Sequence, residues 1–437
     1  LRPIQARISH DQNQNHTHEG EAMTNATAET IDRLFYRDAA VQADPNPLYH
    51  SLRESGPTHW LGGREGGPRW HNTWHLFGYS DVADALRDAR LSSRQPLATP
   101  PPAAPEPEGL TEQQRRARGY FWRALAEPTM LTTDPPDHTR LRRIVAAAFM
   151  PRVVTPMRAT ITTCVDDLLD VAIARGPSFD VVRDLAYPLP TIIIAALLGL
   201  PPEDWQRVKT LSDGLITFFP QQRNFDNLYE LHEYWRALIA DRRVAPRDDL
   251  ISALITARDS GDVFSDDELI GQLTLLLVAG HETTTYALGS AVLHLLRHPE
   301  AWEALPELPI EPVVEELLRY DAPFQALGRV AASDLELGGA QIRSGQHVQL
   351  WIGAANRDPA RFADPDRLDL GRRENRHLTF GLGTHFCLGA ALARLEMQTA
   401  LTVLRSRFPG LTLAQEDVPR RNDSAIRGPA SLPVIAG

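Results

Sequence analysis

Phe380-Gly381-Leu382-Gly383-Thr384-His385-Phe386-Cys387-Leu388-Gly389 runs directly into Ala390-Ala391-Leu392-Ala393-Arg394-Leu395-Glu396. The second part is built of strong helix formers and reads as a helix that ends before Pro409. Gly381 and Gly383 permit backbone angles closed to other residues, so backbone N–H groups can turn toward the Cys387 sulfur. The helix that follows brings its positive end near that sulfur, which favours thiolate over thiol. Gly389 leaves room for a large flat group to lie close to the backbone. Such a sulfur suits a soft metal or a nucleophile's task.

Spacing alone leaves other readings open. A lone cysteine is most often a small buried apolar residue. A nucleophilic cysteine needs a positioned base, and His385, two residues away, is a poor candidate. Zinc needs further ligands, and no second Cys/His pair lies nearby at the usual spacing.

The bulk composition narrows the choice. With 43% hydrophobic and 23% charged residues, the 437-residue chain is an ordinary globular protein. A net charge of −11 argues against a nucleic-acid binder. Arginines nevertheless cluster at Arg115, Arg116 and Arg118, at Arg140, Arg142 and Arg143, and at Arg372, Arg373 and Arg376. These read first as solvated surface and second as a docking site for an acidic protein. The only cysteines, Cys164 and Cys387, rule out a disulfide-stapled fold and a four-cysteine metal site, and a reducing cytoplasm is expected. Residues 1–45 are polar, lack the apolar core of a signal peptide or a membrane anchor, and are expected to be disordered or extended, with Met23 a candidate for the natural start. Residues 46–437 are expected to form a single domain.

Along the chain, aromatic-rich runs between Thr58 and Phe77 suggest a strand hairpin, and Asp81 to Asp88 a short helix. Pro96 to Pro107 is a proline-rich loop. From His138 to Ile255 the spacing is mostly helical, punctuated by prolines. Ser265 and Glu268 form a capping-box pair at the start of the longest helix, which can run to His298-Pro299 and span roughly 45 Å. Gln272, His281 and Glu282 interrupt its apolar stretch before a membrane span accumulates, so it is expected to be a buried central helix. Glu311 to Tyr320 is a further helix. Val330 to Trp351 reads as strands turning at Gly338-Gly339 and Ser344-Gly345, and Asn356 to Asn375 as irregular chain.

The pattern Phe-Gly-x-Gly-x-His-x-Cys-x-Gly resembles the haem-binding loop of the cytochrome P-450 superfamily at every fixed position. The resemblance implies a mainly α fold with a small β region, a triangular prism with haem between the long central helix and the cysteine-loop helix. It makes Cys387 the axial metal ligand, since a thiolate pushes electron density toward O–O cleavage. Phe380, Gly381, His385 and Gly389 become cofactor-binding residues.

Other runs resemble the same family, over roughly Asn46 to the C-terminus. Ala279-Gly280-His281-Glu282-Thr283-Thr284 places the Thr283 hydroxyl four residues after the Ala279 carbonyl, where it can bond back and, with Gly280, open a groove in the helix. Threonines in helices commonly cap their own backbone for no other purpose. The similar Ala-Gly-x-Glu-Thr of the family implies that Glu282 and Thr283 are the catalytic acid–alcohol pair that delivers protons. His138 and Arg142 share a helix face and on their own read equally as a solvated basic helix start. The family's Asp-Pro-Pro-x-His-x-x-x-Arg run assigns them to the haem propionates, with Arg329 and His385. Glu316 and Arg319 match its Glu-x-x-Arg pair, which is buried and structural.

The implied function is insertion of one atom of O2 into an apolar small organic substrate, by hydroxylation or epoxidation of a natural product. The implied cofactors are haem b, O2 and reducing equivalents from NAD(P)H, delivered through a separate ferredoxin and ferredoxin reductase to a cytoplasmic monomer without nucleic acid or membrane anchor. Expected pocket residues are Leu276, Ala279, Gly280, Phe324, Leu327 and Ile426, with Pro96 to Pro107, Phe218-Phe219 and Ala425. The alternatives are a haem protein that senses a ligand without turnover, a peroxide-driven enzyme, and a zinc or cysteine hydrolase. The acid–alcohol pair, absent from the related fatty-acid peroxygenases, speaks for oxygen plus electrons.

Overall fold

Ser265 caps the helix around which the rest of the chain packs. Its hydroxyl accepts from the Glu268 N–H at 3.1 Å, while the Glu268 carboxylate accepts from the Ser265 N–H at 2.9 Å. Asp266, Asp267 and Glu268 place negative charge on the positive end of the helix dipole. From there the helix runs 32 residues, Asp266–Arg297, and Pro299 prevents its continuation beyond His298. Leu273, Leu277, Leu288 and Val292 are fully buried on it, as the reading of a core helix requires. Among the described residues no single helix is long and apolar enough to cross a membrane.

The computed structural model describes residues 25–36, 39–62, 71–94, 111–112, 115, 129–212, 225–256, 265–421 and 426–437. In chain order the elements used below are α1 (Asn25–Tyr36), α2 (Ala39–Ala43), β1 (Thr58–Leu61), β2 (Thr73–Leu76), α3 (Tyr79–Arg87), β3 (Leu91–Ser92), α4 (Asp137–Ala146), α5 (Met157–Ile173) and β4 (Ser178–Asp180). There follow α6 (Pro188–Leu198), α7 (Asp266–Arg297), α8 (Ile310–Tyr320), β5 (Leu327–Ala331), β6 (Leu335–Leu337), β7 (Ala340–Ile342), β8 (His347–Leu350), α9 (Ala390–Arg407), β9 (Thr412–Leu413) and β10 (Pro433–Ile435). One core joins α4, α5, α6, α7, α8 and α9.

The small β region lies to one side. Its main sheet has the order β1-β2-β8-β5-β3. The expected hairpin is β1 against β2, antiparallel with Trp60 opposite Trp74. β2 also runs parallel to β8, a pairing across the whole chain that fixes the N-terminal part onto the C-terminal part. The β6–β7 hairpin turns at Gly338 and Gly339, both with positive φ (57° and 75°), as a two-residue type I′ turn requires.

One expectation is corrected. Residues 1–45 were expected to be disordered or extended, yet α1 and α2 lie within that stretch. Ile31, Leu34 and Phe35 recur at helical spacing and are buried, and the Phe35 ring meets Trp351 edge-on at 5.4 Å. The polar average of the segment hid this short apolar stripe; residues 1–24 lie outside the described residues. The described residues between His138 and Ile255 are mostly helical, as expected, and include the short strand β4, which pairs with β10 near the other end of the chain. That partner has no local signal. Asp81 to Asp88 corresponds to α3, which begins two residues earlier, at Tyr79.

Candidate active site

The cysteine loop is a closed turn. Gly381 and Gly383 have φ of 68° and 69°, the left-handed region expected of them. The Gly381 N–H donates to the Leu378 carbonyl and the Cys387 N–H to the Phe380 carbonyl, both at 2.8 Å. Gly383 abuts α3 so closely that a Cβ would lie 2.8 Å from the Leu86 carbonyl oxygen. Gly389, by contrast, faces open space, with nothing within 4 Å of where a Cβ would be. The loop is thus pressed against protein on one side and leaves a free face beside the sulfur at the start of α9.

The helix dipole was expected to favour a thiolate at Cys387. Burial is the larger influence and pushes the thiol up; the Gly389 N–H, Arg142 and Arg394 pull the other way without overcoming it. Among the protein's own groups, the Gly389 N–H, Arg142 and Arg394 are those that favour its ionised form. Arg394 lies 4.3 Å over the Phe380 ring and is anchored by two bonds to Glu315, at 2.6 and 2.7 Å.

The residues expected at the propionates come together. Arg142 donates to the Phe386 carbonyl at 2.7 Å, which ties α4 to the cysteine loop. His138 is buried, and neither of its ring nitrogens has a hydrogen-bond partner. Its ring lies 4.3 Å from that of His385. Burial, then the charges of His138 and Arg329, depress His385 to about 4. Burial likewise lowers Arg329, with only Asp134 opposing, and Asp134 is already bonded to Ser92 and to the Ser93 N–H. Four nitrogen donors thus face one another with one committed carboxylate in range. Such a cluster is costly unless an anion completes it.

On α7 the Thr283 hydroxyl donates to the Ala279 carbonyl at 3.0 Å, as the spacing predicts. Ala279 is exposed and Thr283 half-buried, although Leu276, Leu277, Glu282 and Thr284 around them are buried. This face of α7 is thus less covered than its surroundings. Glu282 is buried and accepts from Arg421 at 3.1 Å; Arg421 also donates to the Tyr286 hydroxyl at 2.8 Å. Arg421 and Tyr286 were not singled out in the sequence. Tyr286 stands one turn from Glu282, a faint signal, and Arg421 lies far along the chain, with none.

Glu316 and Arg319 are fully buried and joined by two bonds, at 2.7 and 2.8 Å. Arg319 also donates to the carbonyls of Asn356 at 2.9 Å and Pro365 at 2.8 Å, so the pair fastens α8 to the irregular stretch before the cysteine loop.

The pocket residues divide. Ala279 is exposed, Phe324 and Leu327 are half-buried, and Leu276 belongs to the main core. Gly280 was expected to widen a groove; its missing side chain points at Ile194, where a Cβ would lie 2.8 Å away, so it serves the close approach of α6 to α7. Ile426 was expected to line the pocket but is fully buried against Tyr286 and Phe324. Pro96 to Pro107, Phe218-Phe219 and Ala425 lie outside the described residues.

Comparison with known proteins decides what this arrangement is. The family model described as Cytochrome P450 matches residues 203–307 and 301–431. The chain belongs to the cytochrome P450 family. Cytochrome P450 CYP107DY1 of Priestia megaterium is 38% identical over 369 residues, covering 83% of this chain and 89% of the relative. Erythromycin C-12 hydroxylase of Saccharopolyspora erythraea is 38% identical over 395 residues, 86% of this chain and 94% of the relative. The structure of the Bacillus subtilis bacillaene polyketide synthase cytochrome P450 PksS superposes with a TM-score of 0.79 at 35% identity, covering 92% of this chain and 98% of that one. The fold is that of cytochromes P450, and the protein is a monooxygenase, an oxidoreductase that uses haem, O2 and reducing equivalents. The donor set fits the family's haem. The unpartnered imidazole and the cation cluster suit its propionates, and the free face at Gly389 suits its ring.

Proposed function

We propose that this P450 inserts one oxygen atom into an apolar natural product, by hydroxylation or epoxidation, with Cys387 as the axial ligand of haem b. His138, Arg142, Arg329 and His385 hold the propionates, and Phe380, Gly381 and Gly389 border the ring. The observation that carries this reading is the buried His138 ring without a partner, set among cations beside the cysteine loop. Bound haem supplies oxygen activation, with the cysteine sulfur favouring O–O cleavage. Thr283 holds a hydroxyl on the less covered face of α7, and Glu282 beside it is the acid that renews its proton. Proton transfer leaves Glu282 ionised until it takes another proton from water. A ligand sensor has no use for this pair.

The apolar residues Ala279, Phe324 and Leu327, none of them fully buried, favour an apolar substrate. The relatives named for erythromycin and for a polyketide synthase support a natural product of that class. Electrons come from NAD(P)H through a ferredoxin reductase and an acidic ferredoxin, to a cytoplasmic monomer. Of the arginine clusters, Arg142 is half-buried under Phe386 and Arg372 turns inward to Glu316, while Arg115, Arg143, Arg373 and Arg376 are exposed and available to an acidic partner.

The test is Cys387→Ala. Loss of the carbon-monoxide difference spectrum, together with loss of product formation from ferredoxin, reductase and NADPH, is expected. Both surviving unchanged would overturn the assignment.

A further inference from the structure

Residues 321–326 join α8 to β5, and chain from both ends of the sequence holds them. On one side lies the C-terminal segment. The Arg427 N–H donates to the Pro323 carbonyl at 2.7 Å, and Phe324 forms a β-bridge with Ile426. On the other side stands the helix Asn46–Glu54, whose Tyr49 and Arg53 lie one turn apart on one face. Arg53 donates to the carbonyls of Ala354 at 2.8 Å and Arg357 at 3.1 Å. The buried Tyr49 packs its ring against Trp351 and Phe77, and its hydroxyl donates to Gln325 Oε1 at 2.8 Å.

These contacts meet at Gln325, which is itself buried. Its Nε2 donates to the Ala322 carbonyl at 2.6 Å, and its own carbonyl accepts from the Gly353 N–H at 3.1 Å. Gly353 gives the amide its space, since a Cβ there would stand 2.5 Å from Gln325 Oε1. One side chain thus closes the loop on itself and fastens it to the helix Asn46–Glu54. A buried amide bonded at both its oxygen and its nitrogen resists turning, because any rotation leaves a polar atom unpaired. Ala322, Pro323, Gln325 and Ala326 face the protein and are buried, whereas Phe324 and Leu327 are half-buried.

We infer that Gln325, fixed by the Tyr49 hydroxyl, is a positioning residue that sets the direction of Phe324 and Leu327 and so the shape of substrate the enzyme accepts. This rests on the reading of Phe324 and Leu327 as pocket residues. Neither Tyr49 nor Gln325 has to touch the substrate. Without the Tyr49 hydroxyl the amide loses one of its two anchors, and the loop between Ala322 and Leu327 gains alternative arrangements. A ligand that reaches the loop then meets a different wall, and a ligand that reaches only the haem iron does not.

The test titrates the haem-loaded full chain with imidazole and with 4-phenylimidazole, followed by the shift of the Soret band. Both bind iron through nitrogen, and only the second fills space beyond it. In Tyr49→Phe the ratio of the two dissociation constants should change on the order of fivefold, about what one buried hydrogen bond is worth. Imidazole affinity should stay within about twofold. Gln325→Met, which removes both amide bonds, should change the ratio at least as much. An unmoved ratio in Tyr49→Phe would overturn the inference, and so would an equal loss of affinity for both ligands, the mark of a disturbed haem seat. Should Tyr49→Phe be recovered without haem, Gln325→Met decides by the same two criteria. Phe324→Ala and Leu327→Ala separate the inference from the reading beneath it. If both leave the ratio at the wild-type value, these residues do not line the pocket and the two ideas fail together. If they move it and the Tyr49 and Gln325 variants do not, only the positioning role is lost.

Discussion

His138 and His385 face each other with ring centroids 4.3 Å apart and planes inclined at 55°, and the buried His138 ring makes no hydrogen bond. Contact of this kind between two imidazoles in a cationic surround has little to recommend it to the protein alone. Replacing a buried polar group that lacks partners by an apolar group of similar shape removes its desolvation cost. His138→Phe should therefore leave the haem-free chain as stable or more stable, by about 1–2 kcal/mol. The same change should speed haem loss to an excess of acceptor protein. Thermal unfolding of the haem-free form and the haem-transfer rate read the two effects separately. Lower stability without haem, combined with unchanged haem retention, would contradict the site.

Acid stability offers a second check, on α7. His281 is fully buried on α7, its Nδ1 bonded to the Leu277 carbonyl at 2.8 Å. Burial is the main cause that lowers it to about 4, partly opposed by the Leu277 bond, with Lys209 and Arg421 lowering it further. The unfolded histidine binds a proton near pH 6.5 and the folded one does not until about pH 4, so the unfolded state holds more protons between them. Stability due to this group is complete above about pH 6.5 and is lost as pH falls toward 4, a change on the order of 3 kcal/mol. His281→Phe should flatten that part of the curve of unfolding free energy against pH. An unaltered slope would mean that the ring is hydrated in solution.

Gly383 tests the shape of the cysteine loop. Its φ of 69° disfavours a side chain, and the Leu86 carbonyl, 2.8 Å from the Cβ position, is backbone that has little freedom to move. Gly383→Ala should cost about 2–4 kcal/mol from the left-handed conformation and the clash together. Haem content after purification should fall with it. Gly389→Ala, at a position with open space around it, should fold normally, so any loss there falls on haem binding. Equal thermal midpoints for both variants would remove the distinction between the two faces of the loop.

Local rules made the central parts legible. The capping box at Ser265 and Glu268, the back-bonding of Thr283 and the turn at Gly338-Gly339 depend on neighbours in sequence, and each stands where its spacing puts it. The cysteine loop was legible as a glycine-shaped turn, while haem as its occupant came from the family resemblance. What the sequence hid depends on distant partners. β4 forms only against β10, Arg421 reaches Glu282 across 139 positions, and Gly280 is explained by Ile194 on another helix. The α1 helix was missed for a different reason, since three apolar residues in a polar segment vanish in an average.

Arg319 gives the most demanding test of how the loop is supported. Glu316 accepts from Arg319 and also from the Asp369 N–H at 2.9 Å, Arg372 at 3.1 Å and Asn375 at 3.1 Å. One buried carboxylate thereby gathers α8 and the irregular stretch 369–375, while Arg319 carries the connection on to Asn356 and Pro365. Lysine keeps the charge but not the fork that serves the carboxylate and both carbonyls at once. Arg319→Lys should therefore lose about 2 kcal/mol or more, and Arg319→Ala about 3 kcal/mol or more, because the buried Glu316 carboxylate keeps only Arg372 as a charged partner. Because the Asn356 side chain in turn accepts from the Leu378 N–H at 2.7 Å, just before the cysteine loop, haem retention should fall in step with stability. Chemical denaturation measures the first and the carbon-monoxide difference spectrum the second. Full stability in Arg319→Lys would show that charge alone holds this junction, and that the two carbonyl bonds contribute nothing to it.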